Sequence, residues 1–207
     1  MPAPTTYRGT ITREQWLSRE MRIVARLMLE DGFTDPAALA TYVQERNAFQ
    51  YPTERELKSI AKACIRRIAS VSEDHAVTAR LVELLAHGTA DQLRQANLYA
   101  MMCDNRLVWE FMLNMVADKR RRLDTSLRAY EIATFIEGLR AQSETVDGWS
   151  DATRNKARQV LAKCIVECGM YDRRAEELIP LLADFELTQI IRANGDERAL
   201  AAFGIVE

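Results

Sequence analysis

"NRLVWEFMLNMV", residues 105–116, is the stretch whose reading decides the fold. Wound as a helix, it is apolar nearly all round, so it has no broad face to offer water. A helix of that kind must be enclosed by others, and the rest of the chain supplies them. It runs out at its C-terminal end into four successive cations, Lys119, Arg120, Arg121 and Arg122.

Upstream, the chain reads as amphipathic helices with marked ends. Thr12 and Gln15 have capping-box spacing, with Leu17, Met21, Val24 and Met28 on one face and Gly32 as the stop. Asp35-Pro36 is an N-cap followed by a proline at the first helical position, opening a helix to about Asn47. "NAFQYP" (47–52) is a turn, and Thr53 opens a helix to about Val71. Ser72 starts another that ends at Gly88, and Thr89 with Gln92 begins one through Met101.

Downstream, Ile132, Phe135, Ile136 and Leu139 mark an amphipathic helix, and the polar stretch 141–148 is the natural boundary. "WSDATRNKARQVLAKCIVECG" (149–169) is a helix capped by Ser150 and stopped by Gly169. Pro180 interrupts helical reading, so Glu177–Leu182 reads as a short strand of a wing-like hairpin. Two short helices, 184–194 and 196–203, close the chain around Gly195. The class is all-α with at most one small hairpin. Its expected division is an N-terminal helical bundle over 1–145 and a small winged-helix-like subdomain over 146–207.

Composition agrees. The 207 residues are 48% hydrophobic and 28% charged, with eight Gly and five Pro, which is globular and helix-favouring. No apolar run approaches the ~20 residues of a bilayer span, and "MPAPTTYRGT" lacks a signal-peptide core, so a cytoplasmic protein is expected. Net charge is −2. Residues 172–207 hold eight acids and four bases, −4, which leaves +2 on the rest. Nucleic-acid affinity must therefore come from local stripes.

Catalytic signals are weak. The two histidines, His75 and His87, have no Ser or Cys motif beside them, and the glycines are scattered helix stops rather than a phosphate loop. Cys64, Cys103, Cys164 and Cys168 form no CxxC pair. Cys164 and Cys168 share the apolar face of Val160 and Ile165, which makes them core residues. No enzyme activity, cofactor, metal or small-molecule substrate is expected.

Three basic groups remain. On the Thr53 helix, Arg55, Lys58, Lys62 and Arg66 recur at spacings of three, four and four, opposite Leu57, Ile60, Ala61, Cys64 and Ile68. Such a row can track a phosphate backbone, with the preceding helix and turn giving a helix–turn–helix outline. It is also what a solvated face supported by Glu54 and Glu56 would look like. The Lys119–Arg122 run exceeds what a helix C-terminus needs, though successive residues splay around the axis. In the 149–169 helix, Arg154 and Arg158 lie on one flank of the apolar face and Lys156 and Lys163 on the other, which suits snorkelling as well as DNA contact.

In order and spacing, "WLSREMRIVARLMLEDG", "VQERNAFQYPTERELKSIAKACIRRI", "LVWEFMLNMVADKRRRL" and "GWSDATRNKARQVLAKCIVECGMYD" resemble BrxA, the small cytoplasmic component of BREX phage-defence systems. Trp149-Ser150 with Thr153, Lys156 and Gly169 is the part most similar to the family's C-terminal pattern. The resemblance implies an all-α, NusB-like bundle that binds double-stranded DNA without catalysis, beside a methyltransferase, an ATPase and other BREX subunits. The rival expectations are an adapter that holds such subunits together, favoured by the acidic tail from Asp172, and an RNA-binding NusB-like module.

Overall fold

The computed structural model describes residues 3–205 and is all-α apart from one two-stranded hairpin. A single turn, α1 (Ile11–Glu14), precedes α2 (Ser18–Glu30). The helix read as starting at Thr12 is thus broken. Gln15 and Leu17 have φ of +40° and +54°, outside the right-handed helical region. Thr12 Oγ donates to the Gly9 carbonyl at 3.0 Å, where it caps nothing.

The next starts follow the sequence closely. For α3 (Pro36–Glu45), Asp35 accepts from the N–H groups of Ala37 and Ala38. For α4 (Glu54–Ala69), Thr53 Oγ accepts from the Glu56 N–H at 3.3 Å. For α5 (His75–His87) the cap is Asp74, two residues beyond the Ser72 start, and Ser72 Oγ supports it by accepting from the Asp74 N–H. For α6 (Ala90–Asp104) the capping box is complete. Thr89 N–H donates to Gln92 Oε1 at 2.9 Å, and Gln92 N–H to Thr89 Oγ at 3.3 Å.

The opening stretch is helical and enclosed. It comprises α7 (Arg106–Phe111), a π-helical turn over Met112–Ala117, and α8 (Asp118–Arg121). Leu107, Val108, Trp109, Phe111, Met112, Leu113 and Val116 are all buried. Next come α9 (Ala129–Arg140), α10 (Glu144–Asp147) and α11 (Asp151–Glu167). Ser150 Oγ caps α11 through the Thr153 N–H at 3.2 Å. The hairpin pairs β1 (Tyr171–Asp172) with β2 (Glu177–Leu178) antiparallel. The chain closes with α12 (Phe185–Ala193), α13 (Glu197–Leu200) and a 3₁₀ turn over Ala201–Phe203.

Two compact units divide the described residues, and neither is one continuous stretch. The first is Leu17–Ala100 with Asp184–Gly195. In it α2 packs on α4 and α5, α3 on α4, and α12 on α5. Its core includes Met21, Val24, Val43, Phe49, Leu57, Leu81 and Leu85. Asp184 fastens the returning segment: its N–H donates to Gln95 Oε1 at 2.9 Å, and its Oδ2 accepts from Gln92 Nε2 at 3.0 Å. Beyond α12, Asn194 Nδ2 donates to the Val71 carbonyl at 2.6 Å and to Tyr99 Oη at 2.8 Å.

The second unit is residues 3–16, 101–183 and 196–205, so position 145 falls inside it. There α11 packs on α1 and α9, and α10 on α9. Tyr7 anchors the N-terminal segment by donating to Glu110 Oε2 at 2.8 Å, with the Arg106 guanidinium 4.8 Å over its ring. Asn105 brackets Arg8, accepting from its N–H and donating to its carbonyl at 3.2 and 3.1 Å.

Candidate nucleic-acid interface

Alternation along α4 sorts its side chains. Leu57, Ile60, Ala61, Cys64 and Ile68 are buried in the first unit, while Arg55, Lys58 and Lys62 are exposed and Arg66 is half-buried. Arg55, Lys58 and Lys62 make no ion pair among the described residues. At a rise of ~1.5 Å per residue, Arg55 and Lys62 stand roughly 10 Å apart along the axis. Of the two acids that flank Arg55 in sequence, Glu54 accepts from Gln44 Nε2 at 3.3 Å, which ties it to α3.

The turn before α4 is rigidly made. Asn47, in the left-handed region at φ +46°, closes it: its Oδ1 accepts from the Tyr51 N–H at 2.9 Å, and its Nδ2 donates to the Tyr51 carbonyl at 3.0 Å. Tyr51 donates to Glu20 Oε1 at 3.2 Å, and burial together with that carboxylate pushes its pKa up to about 12. The connection from α3 to α4 spans residues 46–53, longer than a helix–turn–helix turn of three or four.

The cations after the π-turn are engaged in the second unit. Lys119 ammonium, 13% exposed, lies 2.7 Å from both Asp124 and Glu131. Burial alone would lower its pKa, but those hydrogen bonds reverse the sign and raise it. Arg120 donates to the carbonyls of Ala202 and Ile179, each at 3.2 Å, and its burial lowers its pKa. Arg121 and Arg122 both pair with Asp118, at 3.0 and 2.9 Å, and keep most of their surface in water.

On α11 the predicted cations part company. Arg154 donates to the Trp149 carbonyl, pairs with Asp151, and reaches Glu137 at 3.4 Å. It serves as an N-terminal brace. Lys156 and Arg158 instead line a concavity of about 500 Å³, together with Lys163 of the same helix and Arg173 of the hairpin turn. None of these four makes an ion pair among the described residues, and one carboxylate, Glu176, shares the lining. Four positive charges against one negative leave the concavity at +3.

Arg173 is the residue that sequence reasoning missed. Its signal was available in "YDRRAEEL", two cations at the tip of the expected hairpin, but only the fold brings Arg173 to α11. All four cysteines are buried, with Cys164 and Cys168 facing the core as their spacing predicts.

A family model described as BrxA matches residues 5–195. The chain is 29% identical over 192 residues to a BREX protein BrxA of Bacillus cereus (strain H3081.97), covering 92% of each. It is 26% identical over 171 residues to a BREX protein BrxA of Escherichia coli O9:H4 (strain HS), covering 81% of this chain and 76% of that one. An uncharacterized protein from Magnetospirillum magneticum has the same fold. Its crystal structure superposes with a TM-score of 0.78 at 19% identity, over 96% of this chain and 98% of that one.

Proposed function

The chain belongs to the BrxA family, and on that premise we propose that it is a non-enzymatic accessory protein of a BREX phage-defence system that binds duplex DNA. The observation that carries the DNA reading is the row Arg55, Lys58 and Lys62, solvent-exposed and unneutralised on a capped helix. Charges already paired with carboxylates gain little from a phosphate, whereas these exchange only water and counterions for it. Arg66 extends the row, and the exposed Arg121 and Arg122 offer weaker supplementary contacts because Asp118 must first release them.

The test is a salt titration of duplex binding. Each phosphate neutralised contributes about −0.9 to the slope of log affinity against log salt. Reversing Arg55, Lys58 and Lys62 to Glu should abolish the slope they supply, and weaken all duplex sequences alike because phosphates carry little base information. Binding that is flat in salt, or unaltered by the reversal, sinks the reading.

The adapter reading has its own observation. Leu123, 89% exposed, lines an apolar concavity of about 450 Å³ with Ile179, Pro180 and Leu181. Association with other BREX subunits that survives high salt and nuclease would favour it. An RNA-for-duplex competition separates the NusB-like alternative.

A further inference from the structure

The concavity of the second unit has a composition unlike that of the α4 row. Lys156, Arg158 and Lys163 come from one helix, and Arg173 reaches the same space from the hairpin turn. Converging on about 500 Å³, they fall in the size range of small-ligand sites rather than that of an extended backbone track. A cleft lined mainly by one sign of charge focuses its field on whatever enters. Two of the four are arginines, whose planar forks match phosphate oxygens in pairs.

The rest of the lining is not cationic. Ala129 and Ala162 supply apolar surface over the buried Ile132 and Val160, and the Tyr171 hydroxyl is spent on the Leu127 carbonyl at 2.7 Å, which leaves its ring as wall. Gln159 contributes a primary amide with no side-chain partner among the described residues. Gln15 enters from the end of α1 at φ +40°, a backbone conformation that side-chain-bearing residues rarely adopt outside functional or tightly held positions. Cations for phosphate, an amide for a base edge and an apolar wall for its face make one coherent set.

We propose that this concavity binds a terminal phosphate attached to a nucleoside, as presented by a free nucleotide or by the 5′-phosphorylated end of a nucleic-acid strand. The site is distinct from the α4 row and does not depend on the duplex-binding reading.

Calorimetric titration of the full chain at low salt tests it, with ADP, adenosine, and a single-stranded oligonucleotide with and without a 5′-phosphate. ADP should bind and adenosine should not. The double reversal Lys156→Glu with Arg173→Glu removes two charge-assisted contacts and should weaken ADP at least about a hundredfold. The milder Lys163→Gln, which removes one charge without inverting it, should weaken it about tenfold, the worth of one charge-assisted hydrogen bond. The α4 reversal should leave ADP affinity unchanged, so loss of duplex binding and loss of this site register separately. A preference for the 5′-phosphorylated oligonucleotide identifies the strand end as the source, and equal oligonucleotide binding with intact ADP affinity identifies the free nucleotide. Adenosine binding as well as ADP, ADP affinity that survives the concavity variants, or ADP affinity lost on reversing α4 would each overturn the assignment.

Discussion

Tyr7 and Tyr51 each donate a hydrogen bond to a carboxylate, Glu110 and Glu20, in different units. Burial first, and the carboxylate second, push each phenol up to about 12 from an ordinary value near 10. Between those two pH values the unfolded chain has lost these protons while the folded chain keeps them. Stability is therefore complete below about pH 10 and falls as pH rises toward 12. Tyr7→Phe removes the group that titrates, so its stability relative to the parent should improve steadily from pH 9.5 to 11.5. A constant offset over that range, measured by urea denaturation, would mean that Tyr7 ionises normally in the folded chain. Lys119 makes a parallel point about charge. Held 2.7 Å from two carboxylates, it should cost about 1 kcal/mol when replaced by Ala, because Glu131 and the exposed Asp124 lose its ammonium but keep the N–H groups of Arg128 and Ser126 as donors. Arg122→Ala, at a site mostly in water, should change stability by no more than about 0.5 kcal/mol.

At the scale of elements, the N-caps are the testable signals. Thr89→Ala removes the acceptor for the Gln92 N–H and should cost about 1 kcal/mol, seen as a lower urea midpoint with unchanged m-value. Asp35, Thr53, Thr89 with Gln92, and Ser150 were all legible in the sequence, because a cap is a local bargain between a side chain and an N–H two or three residues on. Thr12 misled for a reason equally physical. Its spacing to Gln15 fits a capping box, but buried Trp16 lies between two residues with positive φ, and tertiary burial overrode the local pattern. The π-turn at Met112–Ala117 left no mark in composition, since the apolar residues that fill it would fill an α-helix as well. The candidate interface divides the same way. That Arg55, Lys58 and Lys62 share a solvent face followed from periodicity alone. That Lys119 and Arg120 are tied up by Glu131, Ala202 and Ile179 needed partners distant in the chain, which no local window contains.

At the scale of the whole molecule, the order of the units along the chain has consequences for stability. The first unit closes only when residues 184–195 return to it, after the chain has built most of the second. The second in turn takes back residues 196–205, with Ala202 accepting from Arg120 at 3.2 Å. A chain ending at residue 183 therefore strips an element from each unit at once. From the first it removes Leu187, Ile190 and Ile191 of α12, all buried, and the Asn194 donor of the Val71 carbonyl and Tyr99 hydroxyl. Burying a side chain of that size is worth about 1.5–3 kcal/mol, so three of them are comparable to the entire stability of a typical domain. From the second it removes Leu200, Ala202 and Phe203. The 1–183 chain should retain helical far-UV circular dichroism, because caps and amphipathic faces are local. It should nonetheless melt broadly and bind a hydrophobic dye, having lost the tertiary burial that makes unfolding cooperative. Duplex affinity should fall with it even though every cation of the α4 row remains, since the row is aligned only while α4 is packed. A sharp melt within a few degrees of the full chain would show instead that α12 and the segment after it are dispensable to both units.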